Sequence, residues 1–163
     1  MRTSIALAAL GLCVLGCDSP TATTSAVNRP LFDAQGNGVM HQVSVGSSDI
    51  VPPGTDANFS LVAIQHGDGS VSGQWQDSFG KDAPGVGVHV AIDCVNVVGN
   101  EAWVSGVATD KTFAGQPVIT RVAAPDQISF SIINPAQFGL SASCLDAQNL
   151  PLFPITNGQV KVR

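Results

Sequence analysis

The stretch Val88–Thr109, VHVAIDCVNVVGNEAWVSGVAT, sets two Val-rich runs on either side of Gly99-Asn100, the pattern of two strands folded over a tight turn. Pairing across that turn sets Val95 opposite Val104, Asn96 opposite Trp103 and Cys94 opposite Ser105. Continued, the same register sets His89 opposite Asp110, an arrangement that permits a cross-strand ion pair. Both faces come out largely apolar: Val90, Ile92, Cys94 and Val107 on one, Ala91, Val95, Val97 and Val104 on the other. Strands of that kind lie centrally or are covered on both sides.

Further strands follow from the same pattern. Val39–Val45 places Val39, His41, Val43 and Val45 on one face. After a break at Pro52-Pro53-Gly54, Ala57–Gln65 and Ser70–Gln76 form a hairpin through His66-Gly67-Asp68-Gly69. With a two-residue loop, Val62 and Ile64 share a side with Val71, Trp75 and Phe79, while Ser70, Ser72, Gln74, Gln76 and Ser78 face water. Phe79–Gly87 is a Gly/Pro connection. Pro117–Val122 and Gln127–Ile133 pair across Ala123-Ala124-Pro125-Asp126, with Ile128, Phe130 and Ile132 alternating against Ser129 and Ser131.

The C-terminal part is less regular. Asn134–Gly139 reads as a loop with one helical turn, and Leu140–Leu145 as a strand that brings Cys144 back to the sheet. Asn149–Asn157 carries Pro151 and Pro154 and is expected to cross an end of the structure; Gln159–Arg163 closes with Val160 and Val162 inward. The sum is eight or nine strands joined mostly by hairpins. This predicts an all-β domain, a single antiparallel barrel or sandwich. The meander of hairpins favours the barrel, and the two-sided central hairpin favours the sandwich.

Composition agrees. Charged residues make up 12% of the 163 residues, with a single Glu (Glu101) and three lysines (Lys81, Lys111, Lys161), so helix-building residues are scarce. The net charge of −5 is carried mainly by dispersed Asp residues. Such a field argues against nucleic acid, whose phosphates demand a basic face, and against polybasic attachment to anionic lipid.

Met1-Arg2 and the apolar run Ile5–Leu15 have the form of a secretory signal, too short to span a bilayer as a helix. The run ends in Val14-Leu15-Gly16-Cys17, which resembles the lipobox of bacterial lipoproteins, with Leu15 bulkier than the usual occupant of its place. By that resemblance, residues 1–16 are a signal peptide and Cys17 is the lipidated first residue of the mature chain. Two or three acyl chains, at ~0.8 kcal/mol per buried CH₂, hold a protein stably on a membrane. Residues 17–30 comprise the lipidated Cys and a flexible tether, SPTATTSAVNRP, leaving residues 31–163 as one β domain. The implied location is the bacterial cell envelope, on the periplasmic or surface side. The segment Asp93–Gly106 also resembles, loosely, parts of uncharacterised secreted bacterial β-proteins, a likeness that brings no activity with it.

Of four cysteines, Cys13 leaves with the signal peptide and Cys17 takes lipid, so Cys94 and Cys144 remain to form a disulfide in an oxidising compartment. A loop of this size contributes roughly 4 kcal/mol in the chain-entropy model. Two buried free thiols are the alternative.

Candidate chemistry is sparse. The chain has no nucleophile elbow, zincin, P-loop or dinucleotide motif. Asp33, Gln35, Asn37 and Gly38 begin like a calcium loop, but Ser44 stands where a bidentate Glu is needed, so a glycine turn is expected and no metal or other cofactor. His41, His66 and His89 fall in different elements, and Asp93 lies about 13 Å along the strand from His89. The expected function is therefore a non-catalytic, envelope-tethered module, monomeric, that binds a small molecule or an envelope protein. A lumen or rim carrying Trp75, Trp103, Phe130 and His41 is the expected ligand site. The alternatives are a structural or interaction lipoprotein presenting loops such as Phe79–Gly87 and Asn149–Asn157, and a barrel enzyme using His89 with Asp93 or Asp110.

Overall fold

Alternating stretches become nine strands in the computed structural model, which describes residues 38–50, 58–80 and 85–163. They are β1 (Val39–Ile50), β2 (Asn58–His66), β3 (Val71–Ser78), β4 (Gly87–Val98), β5 (Glu101–Ala108), β6 (Pro117–Ala123), β7 (Gln127–Ile128), β8 (Ile132–Ile133) and β9 (Phe153–Val162). The lipobox, Cys17, the tether, the calcium-like loop from Asp33 to Asn37 and the Pro52-Pro53-Gly54 break lie outside the described residues.

Each of β1 to β5 pairs antiparallel with the next, β5 pairs with β6, β6 with β7, β7 with β9, and β9 returns to β1. Eight strands thus close an antiparallel barrel, and β8 adds a short second piece along the β6 edge. The barrel, not the sandwich, is the solution. Its closing seam is brief: β7 meets β9 only at Gln127–Pro154 and Ile128–Phe153.

Inward side chains meet in the interior. Val43 and Val45 from β1, Phe59 and Leu61 from β2, Trp75 from β3, Val88 and Val90 from β4, and Val104, Val118 and Val122 from β5 and β6 form one buried cluster. Burying each such side chain is worth roughly 1.5–3 kcal/mol. Outward positions on β3 are polar, the reverse of the lipid-facing pattern of a membrane-spanning barrel. Among the described residues no helix is long and apolar enough to cross a membrane.

The central hairpin takes the expected register near its turn: Val95 faces Val104, Asn96 faces Trp103 and Cys94 faces Ser105. Beyond Cys94 it slips. An irregularity at Asp93 inserts one residue, so Val90 faces Ala108, and His89 is not opposite Asp110. The slip also re-sorts the faces, because Val90 and Ile92 now point inward together with Val95 while Cys94 points out. Gly106 makes the bend possible: a Cβ there would lie 2.1 Å from the Ala91 carbonyl oxygen.

Two other hairpins differ from the sequence expectation for related reasons. His66 closes on Ser70 around a three-residue loop, with Gly69 at φ +83, rather than a two-residue one. Leu61 therefore faces Trp75 and Ala63 faces Gly73, and Val62 is turned outward and 41% exposed. Between β7 and β8 an extra residue breaks the alternation. Ile128 and Ile133 pack on the interior cluster, whereas Phe130 is exposed and stacks on Phe153 with ring centroids 4.7 Å apart.

The C-terminal part departs most. Leu140–Leu145 is not a strand: residues 134–152 form a strap over the outside of the barrel, with 3-10 turns at Pro135–Phe138 and Cys144–Asp146. The second turn packs on β4 and β5, where Cys144 is joined to Cys94 by a disulfide. Asn149–Asn157 does not cross an end, because β9 already begins at Phe153 and runs along β1. Val160 is buried inside the barrel, as the pattern predicts.

Candidate functional site

The four residues expected to share a ligand site do not converge. Trp75 is buried in the barrel interior, in ring contact with Phe59 at 5.8 Å. Trp103 lies on the outer face of the same wall, beneath the strap, its indole N–H donating to the Gln148 carbonyl at 2.7 Å. Phe130 is exposed beside the seam, and His41 is half-buried on β1 opposite Gln65. With the interior occupied by core side chains, concave ground must be sought outside.

One such place is the outer face of β2–β4. The polar alternation of β3 (Gln74, Gln76) pairs with Ser60 and Val62 of β2 and with His89 and Ala91 of β4. Gly73 and Ala91 are small, so the surface sinks between the longer side chains into a groove of about 620 Å³. Among the described residues its lining offers amides, hydroxyls, one imidazole and apolar groups, and no carboxylate, guanidinium or ammonium. Such a surface offers hydrogen bonds to a neutral ligand and little to a charged one.

Gln76 and His89 also line a neighbouring crevice of about 380 Å³, which includes Asp77, Asp110 and Thr112. The two carboxylates there have different tasks. Asp110 accepts from the main-chain amides of His89, Thr112 and Phe113, at 3.3, 2.8 and 3.0 Å. Slight burial raises its pKa, but the amides of Phe113, His89 and Thr112 together hold it below the usual carboxylate value. It caps the turn after β5 and reaches the β4 main chain rather than the imidazole. The expected His89–Asp110 ion pair is thus replaced by a bond to the His89 backbone. Asp93 is exposed at the irregularity in β4.

Asp77, which the sequence analysis does not single out, lies two residues after Trp75 on the same face of β3. It points inward and is 4% exposed, with its carboxylate accepting from the Ser131 hydroxyl across the barrel. Burial pushes its pKa up to about 6, against the opposing pull of the Ser131 hydroxyl and main chain. Its partner Ser131 lies between β7 and β8, where the ladder is interrupted.

Arg121 also lacked a sequence signal. It sits opposite Trp103 on β6, with its guanidinium carbon 5.3 Å from the indole centroid. It pairs with Glu101 at 2.7 Å and donates to Asn149 Oδ1 and the Leu150 carbonyl of the strap.

Comparison with known proteins returned no matching family model, no matching curated relative and no matching solved structure.

Proposed function

We propose that this chain is an envelope-tethered bacterial lipoprotein whose barrel is a non-catalytic binding domain, and that it binds on its outer wall rather than in its lumen. The observation that carries this reading is the filled interior together with the neutral groove on β2–β4. Tethering rests on the lipobox resemblance at Cys17, and the Cys94–Cys144 disulfide suits an oxidising compartment. The ligand class that fits the groove is a neutral molecule or segment rich in hydroxyl or amide groups, held by Gln74, Gln76, Ser60 and His89.

The test is native mass spectrometry of the protein released from envelopes in detergent. A diacylglycerol-bearing N-terminal Cys17 and a retained neutral adduct, lost in Gln74→Ala/Gln76→Ala, are the expected results. An unacylated chain would remove the tether, and an adduct unaffected by the two substitutions would move the site elsewhere.

A second reading, an interaction lipoprotein, is favoured by the apolar surface at the seam. Phe138 is 68% exposed and flanks a groove of about 420 Å³ lined by Ile132, Ile133 and Leu140. A bare monomer in the same spectrum supports that alternative. The enzyme alternative draws on Asp110, whose oxygens are occupied by main-chain amides, and on an exposed Asp93.

A further inference from the structure

The strap is held to the barrel in two places of very different strength. Its root, residues 148–152, buries Leu150 to 1% exposure and receives the Trp103 indole N–H and two bonds from Arg121. Its tip, residues 141–147, is mostly turned to solvent: Leu145 is 72% exposed, and Cys144 is the one buried residue of the tip. The tip's other hydrogen bonds stay largely within the strap. Gln148 bonds the Ser141 main chain through both its amide oxygen and nitrogen, and Ser143 caps the amide of Leu145. Besides the disulfide, one side-chain hydrogen bond ties Cys144 to the barrel, from Asn96 Nδ2 to its carbonyl at 3.2 Å.

We propose that the Cys94–Cys144 bond is a redox-operated clasp: a dithiol reductant opens it, and the strap tip then lifts while the barrel stays folded. A neutral hydrogen bond contributes only about 1 kcal/mol net, too little to hold the tip against its conformational entropy.

The step is thiol–disulfide exchange. One thiolate of the reductant attacks Cys94 Sγ, the partly exposed end of the bond, and forms a mixed disulfide. The Cys144 thiolate leaves and takes a proton. The second thiol of the reductant, deprotonated, then attacks its own sulfur in the mixed disulfide and expels Cys94 as a thiolate, which is protonated in turn. The protein disulfide gains two electrons and the dithiol becomes a disulfide.

Release bares the outer wall under the tip. Ser105, 4% exposed, loses its cover, and two new thiols and the Asn96 amide become available on one surface. This surface lies on β4–β5, apart from the Gln74 and Gln76 groove on β3.

Hydrogen exchange of the full oxidised chain at neutral pH, with and without dithiothreitol, tests the clasp. On reduction, peptides covering residues 141–147 are expected to exchange about tenfold faster or more, while those of β1–β3 keep their protection. The unreduced Cys144→Ser variant should match the reduced wild type. Three results would overturn the proposal: a bond that resists dithiothreitol without denaturant, a tip that stays protected after both thiols are shown to be free, or loss of protection throughout the barrel.

Discussion

Trp75 and Trp103 sit on opposite sides of one barrel wall and are sealed from water by different means. Trp75 is closed in by strand alternation alone, within the interior cluster, and its indole N–H has no hydrogen-bond partner among the described residues. Trp103 is closed in by a strap that sequence alternation does not provide, and its indole N–H is paired. The interior cluster is apolar and tolerates an unpaired donor because its packing is extensive. The outer cluster is small and relies on polar ties: Arg121 to Glu101, Asn149 and Leu150, Asn96 to Cys144, and the disulfide. One is a core; the other is a fastening.

The largest effect that would sharpen this contrast is Trp75→Ala, expected to cost about 3–5 kcal/mol by emptying the centre of the barrel. Urea unfolding followed by far-ultraviolet circular dichroism measures it; a loss below 1 kcal/mol would mean that the interior is not the main core. Trp75→Phe is expected to cost far less than the alanine change, since it also removes the unpaired donor.

Replacing both Cys94 and Cys144 by Ser should lower stability by about 2–4 kcal/mol, chiefly by freeing the unfolded chain, while the barrel still folds. Unchanged stability in the double variant would show that the bond constrains neither state.

Asp77 gives the interior its pH dependence. Its folded pKa of about 6 lies above the ordinary 3.8, so between those values the folded state binds more protons than the unfolded one. Stability is therefore expected to fall as pH rises from about 4 to above 6, by up to about 3 kcal/mol for a two-unit shift. Asp77→Asn should remove that slope and be the more stable protein at pH 8, with little difference at pH 4. An Asn variant less stable than wild type at pH 8 would mean that the ionised form is the one the fold prefers.

The smallest effect belongs to the outer cluster. Trp103→Phe loses one hydrogen bond and part of the Arg121 stacking, about 1 kcal/mol together, with the loss confined to strap protection in hydrogen exchange.

The parts legible in the sequence were those fixed by local chemistry. Gly99-Asn100 allows a two-residue turn, with Gly99 at φ +63, and so set the register of Val95, Asn96 and Cys94 correctly. The cysteines paired by elimination. His66-Gly67-Asp68-Gly69 was ambiguous because a loop one residue longer satisfies the same glycines, and that one residue turned Val62 outward. No residue type announces the irregularity at Asp93, which depends on how tightly β5 bends against β4 at Gly106. The strap was misread because Leu140–Leu145 alternates like a strand, although only Cys144 among those residues is buried. Asp77 was not singled out, although it shares strand parity with Trp75 and so lies on the inward face. The outer groove was visible only as the wet face of β3.

The measurement that tests the two-region account most directly is native-state hydrogen exchange of the two indole N–H groups in the oxidised protein, followed by NMR across a urea series. Trp75 should exchange only through global unfolding, with a strong urea dependence, and Trp103 through a local opening that is cheaper and nearly independent of urea. If both indoles exchange with the same free energy and the same urea dependence, the strap and the barrel are a single cooperative core, and the account fails.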